Sequence, residues 1–115
     1  MNPKGYVVVL EGDPLIGPLL DRWLREEGYR VTAGVLEGEG KPALVIADVA
    51  NPQAAERLID SLRVYAAPIL LLSARFRRGL AGSAEVARRL GVKRVLPKPF
   101  TNTELLAAVR ESVEV

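Results

Sequence analysis

Five polar residues stand where apolar runs stop. Glu11 and Asp13 follow "YVVVL", Asp48 follows "ALVIA", Ser73 follows "PILLL", and Lys98 closes "KRVLP". If the runs are parallel strands, these residues sit at carboxyl ends, the edge of an α/β sheet where ligands bind. Acids, a hydroxyl hydrogen-bond donor and an ammonium point charge are a workable set for holding a charged ligand there. Each residue alone has a plainer reading. Asp48 caps a turn, Ser73 satisfies a loop, Lys98 is a solvated charge, and Asp13 is the N-cap of a helix with Pro14 at its first position. The case for a site rests on their joint placement.

The elements that position them follow from hydrophobic pattern. "YVVVL" (6–10) is too continuous for a half-exposed strand and reads as one buried on both faces, as in a parallel sheet. A helix is expected from Pro14 to about Glu27, with Ile16, Leu19, Leu20, Trp23 and Leu24 on one stripe and Gly28 as its stop. "YRVTAGVL" is a weaker second strand and "ALVIA" (43–47) a third. Between them "EGEGKP" leaves room only for a turn or a stub, so the second helix is reduced or missing. A helix over about 53–63, a strand "PILLL" (68–72), a helix near 83–90 ending at Gly91 and a strand "KRVLP" (93–97) come next. Thr101 with Glu104 three residues on forms a capping box for the last helix. This alternation predicts one doubly wound α/β domain with a five-stranded parallel sheet.

Composition narrows the chemistry. The 115 residues are 49% hydrophobic, enough for one domain with a real core. There is no cysteine and no histidine, which excludes disulfides, thiolate metal sites, histidine bases and phosphohistidine chemistry within this chain. No run approaches a membrane span and the N-terminus is too short in apolar residues for a signal peptide, so a cytoplasmic setting is expected. The formal charge is only +2, yet residues 75–94 carry seven bases (Arg75, Arg77, Arg78, Arg88, Arg89, Lys93, Arg94) against Glu85 alone. With a single aromatic, Phe76, among these bases, nucleic acid is not the expected partner of that segment.

At these residues the chain resembles the receiver domains of bacterial two-component response regulators. "VVVLEGDPLI" resembles the acidic end of the first strand, "PALVIADVANP" the phosphoacceptor segment, "PILLLSAR" the hydroxyl-bearing fourth strand, and "VLPKPF" the lysine-proline-phenylalanine signature. The resemblance implies a flavodoxin-like fold with strand order 2-1-3-4-5. It implies Asp48 as phosphoacceptor, Ser73 as the hydroxyl that reads the phosphoryl group, and Lys98 as the charge that holds it, with a cis peptide between Lys98 and Pro99. A magnesium ion is implied too, held by Glu11, Asp13, Asp48 and the backbone carbonyl of Ala50. A sensor histidine kinase or another signalling protein is the implied partner, an acidic protein is expected at the basic 75–94 segment, and self-association is open. With the chain closing after the fifth helix-sized segment, a stand-alone, non-enzymatic signalling domain is expected.

The departures matter as much. The family usually has two adjacent acids at the end of the first strand, whereas Glu11 is followed by Gly12. Val95 stands two residues before Pro97, where many receivers carry an aromatic switch residue. Magnesium needs near-ideal octahedral oxygen geometry, so weakened metal binding and slow phosphorylation are expected, and a pseudo-receiver interaction module is the alternative. A haloacid-dehalogenase-like phosphatase ranks behind both, because Ala50 occupies the place of its second aspartate.

Overall fold

The computed structural model describes residues 5–11, 13–34, 38–49, 52–73 and 82–113, with the backbone alone at 52, 53 and 82–84. Its elements are β1 (Tyr6–Leu10), α1 (Ile16–Glu26), β2 (Arg30–Thr32), β3 (Leu44–Asp48), α2 (Pro52–Leu62) with a 3-10 turn (Arg63–Tyr65), β4 (Ile69–Ser73), α3 (Gly82–Leu90), β5 (Arg94–Pro97) and α4 (Asn102–Val113). All four pairings are parallel, and the order is β2-β1-β3-β4-β5. This is the doubly wound parallel sheet that the alternation predicts, in the flavodoxin-like order that the resemblance implies.

The unbroken apolar runs are explained by two cores, one on each face. Successive side chains of a strand alternate between faces. Val8, Val45, Ala47, Ile69, Leu71 and Val95 pack under α2 and α3 with Ala55, Ile59 and Leu62. Val7, Leu44, Ile46, Leu70, Leu72 and Leu96 pack under α1 and α4 with Leu20, Leu24, Leu105 and Val109. A strand with helices on both sides has no face left for polar residues. Charge is therefore confined to the strand ends.

Helix ends follow their sequence signals. At Gly28 (φ +98°) and Gly91 (φ +76°) the chain enters the left-handed region where a side chain is strained. The N–H of Tyr29 donates to the Leu24 carbonyl at 3.1 Å and that of Val92 to Ala87 at 3.0 Å, closing α1 and α3 by the same glycine-based motif. The capping box of α4 is formed both ways, by Glu104 N–H to Thr101 Oγ1 (3.1 Å) and Thr101 N–H to Glu104 Oε1 (2.9 Å).

Differences from expectation are local. α1 starts at Ile16 rather than Pro14, because residues 13–15 form a turn in which Gly17 N–H reaches the Asp13 carbonyl at 2.9 Å. β2 keeps three residues, all half-buried. Between β2 and β3 there is no helix among the described residues; the turn there is pinned by an ion pair from Arg30 to Glu39 at 2.8 Å and by Tyr6 Oη donating to the Gly40 carbonyl at 2.7 Å. Asp48 and Ser73 belong to their strands, because Val49 N–H to the Leu72 carbonyl (2.9 Å) and Lys98 N–H to the Ser73 carbonyl (3.0 Å) carry the ladder one step further.

Leu24 is fully enclosed between α1, the sheet and α4. Leu24→Ala is expected to cost about 2–5 kcal/mol in urea denaturation, with an unchanged slope.

Candidate functional site

Sheet register brings the polar strand ends to one rim. Leu10 is level with Ala47, so Glu11, the next residue, comes level with Asp48; Asp48 is level with Leu72 and Ser73 with Pro97. Lys98 lies one residue past β5 and reaches back across this rim. Its ammonium is 2.7 Å from Asp48 Oδ1 and 2.8 Å from Glu11 Oε2. Burial differs across the group: the side chain of Glu11 is 1% exposed, that of Lys98 13% and that of Asp48 35%. Asp48 is thus the carboxylate that faces outward. Glu11 is the one enclosed.

Each remaining contact of Glu11 and Asp13 has a local cause. Glu11 Oε1 accepts the Asp13 N–H at 3.0 Å, while at Oε2 the contact is an ion pair off hydrogen-bond alignment. Asp13 Oδ1 accepts the N–H groups of Leu15 (2.7 Å) and Ile16 (3.2 Å), satisfying donors that a helix start leaves open. These hydrogen bonds, with help from the Lys98 charge, hold its carboxyl below the usual aspartate value. Of the two readings the sequence allows for Asp13, helix cap and metal ligand, these contacts are those of the cap. The strand stops at Leu10, and the carboxylate is spent on opening α1.

Burial works to lower the Lys98 ammonium, but pairing with Asp48 and Glu11 outweighs it and leaves the group above its ordinary value. Ser73 is fully buried at the end of β4, with its carbonyl bound to the Lys98 backbone, so Asp48, Lys98 and Ser73 come from three segments stitched together by the ladder. Pro99 follows in the cis form. Next to it Phe100 packs edge-on against Trp23 of α1, centroids 6.4 Å apart, and ties the segment after β5 to α1. The helical stripe held the signal for this contact, but not its partner. Val95 is buried in the core under α3, a small side chain with no ring to swing.

The magnesium ion that the fold implies does not fit these carboxylates as arranged. Two of them converge rather than three, both on the Lys98 ammonium, and Asp13 is committed to α1. No cluster of three metal-ligating side chains occurs among the described residues. Gly12, Ala50 and the basic loop from Arg75 to Ala81 lie outside the described residues. No helix among the described residues is long and apolar enough to cross a membrane.

No protein-family model matches the chain. It is 35% identical over 119 residues to the transcriptional regulatory protein PdtaR of Mycobacterium tuberculosis, covering 93% of this chain and 56% of that protein. The chain thus spans about half the length of the curated relatives it matches. Among solved structures it is similar to the chemotaxis protein CheY4 of Vibrio cholerae, with a TM-score of 0.67, 18% identity and coverage of 94% of this chain and 98% of that one. A signal receiver domain from Clostridium thermocellum superposes with a TM-score of 0.71 at 15% identity, covering 97% and 99%. At such identities the structures establish the fold, and the sequence relationship adds kinship over nearly the whole length. The chain has the fold of response-regulator receiver domains and is related in sequence, over nearly all of its own length, to a transcriptional regulatory protein.

Proposed function

We propose that this receiver works in two-component phosphotransfer, with Asp48 accepting the phosphoryl group from a sensor histidine kinase. The observation that carries the reading is the Lys98 ammonium 2.7 Å from the outward-facing Asp48 carboxylate. In the reaction a carboxylate oxygen of Asp48 attacks phosphorus on the donor imidazole. The P–N bond breaks, its electron pair stays on the imidazole, and an acyl phosphate forms. Lys98 neutralises charge on the transferred group, and the Ser73 hydroxyl donates a hydrogen bond to it. By the name of the curated relatives, the output served is transcriptional regulation.

Charge balance sets the rate. Glu11 and Asp48 already share one ammonium, and the acyl phosphate adds more negative charge than the carboxylate it replaces. Without a well-formed divalent site the pocket is short of cation, so transfer is slow. A second reading, a constitutive interaction module with little or no phosphorylation, is favoured by one observation. Lys98 already occupies both acids.

Incubation with acetyl phosphate and magnesium is expected to add one phosphoryl mass slowly, and Asp48→Asn to abolish it. No mass gain in the parent chain leaves the interaction-module reading. Calorimetric titration of the parent is expected to show no saturation by magnesium in the low millimolar range, with Gly12→Asp restoring a measurable isotherm. Ordinary affinity in the parent would overturn the misfit argument.

The ion pair also makes a stability prediction. Because the folded Lys98 value is raised above the unfolded 10.5, its contribution is fully present below that pH and is lost as pH rises through the folded value. Lys98→Met leaves Glu11 enclosed without its cation and is expected to cost about 3 kcal/mol at pH 7. The deficit is expected to shrink as pH rises through the folded Lys98 value. A pH-independent deficit in denaturant melts would refute the pairing.

A further inference from the structure

At the opposite edge of the sheet, the chain ends of α2 and α3 diverge around the start of β4. The gap is an open cavity of about 660 Å³ whose floor is Ala67, Pro68 and Val92 and whose bases are Arg63, Arg88 and Lys93. No acid lines it. The nearby acids are turned to other work: Asp60 pairs with Arg63 at 3.3 Å from outside, and Glu85 with Arg89 at 3.7 Å. Among the described residues neither Arg88 nor Lys93 has an acidic partner. Gly91 lies at the mouth beside the Arg63 guanidinium. Beside it Val64 is 81% exposed, and Ala66 turns the wall with φ +52°, a conformation strained for a residue with a side chain.

Bases from three segments facing one concavity, with low-dielectric walls and no acid, concentrate positive potential there. The cavity is open rather than enclosed, and a second, smaller groove lined by Glu56, Ile59, Asp60, Arg63, Arg89 and Leu90 lies next to it between α2 and α3, sharing Arg63. An extended chain fits that shape better than a compact molecule. We propose that this concavity docks an acidic segment of a partner protein, its carboxylates on Arg63, Arg88 and Lys93 and one apolar side chain on the floor beside Val64. The inference rests on the receiver reading only in that such a domain acts through a protein partner. It goes beyond it in placing that partner away from Asp48, which lies on the other rim.

The test uses the full chain and a labelled Glu-Glu-Leu-Glu-Glu peptide, followed by anisotropy and by amide chemical shifts. Saturable binding with shifts confined to residues 63–69 and 88–93 is expected. Combined Arg88→Glu and Lys93→Glu, both on exposed positions, should weaken it about tenfold, as should raising salt. Replacing the peptide's leucine by serine should weaken it further. Shifts spread over arginines elsewhere, or none that saturate, would overturn the site. Tighter saturation by inorganic pyrophosphate than by the peptide would overturn the protein-segment assignment in favour of a small anion. Because the acetyl-phosphate assay reads the other rim, peptide binding without phosphorylation defeats only the phosphoacceptor reading, and phosphorylation without peptide binding defeats only this one.

Discussion

One ammonium balancing two carboxylates is the constraint on which the functional rim depends. A charge as enclosed as Glu11 survives only with a cation against it, and Lys98 is that cation. The same nitrogen serves the half-buried Asp48, so the two carboxylates are electrostatically linked. Anything that draws Lys98 toward a new anion on Asp48 also loosens its hold on Glu11. The rim can therefore register a charge event at one carboxylate as a change at the other, a short-range coupling within one pocket.

Much of this was legible in the sequence because burial on two faces writes an unmistakable pattern. "YVVVL", "ALVIA" and "PILLL" leave no alternating polar position, and only a sheet covered on both sides asks for that. The glycines at 28 and 91 and the Thr101–Glu104 box marked helix ends by local chemistry alone. The rim residues were legible as a set, since strand ends are fixed by the runs before them.

What could not be read was where flexible or short side chains go. Nothing in "EGDP" decides between a metal-facing Asp13 and a capping one; the answer depends on the strand stopping at Leu10 and the turn closing on Gly17. The reach of Lys98 to Glu11 spans most of the sequence and has no local signal. Nor does Arg63 stand out from an ordinary helix end. It joins Arg88 and Lys93 only because α2 and α3 finish at the same edge of the sheet.

The brevity of β2 has its own consequence. A parallel sheet ends in two rows of unpaired backbone groups, and a long, flat edge is a template on which another polypeptide can add a strand. Here one edge is three residues long and half-buried, while the other is four residues, opening on exposed Arg94, itself ion-paired to Glu111, and closing on a proline that lacks an N–H. Sheet-to-sheet polymerisation is thereby discouraged at both margins, and contacts with other molecules are directed to the helices and strand ends.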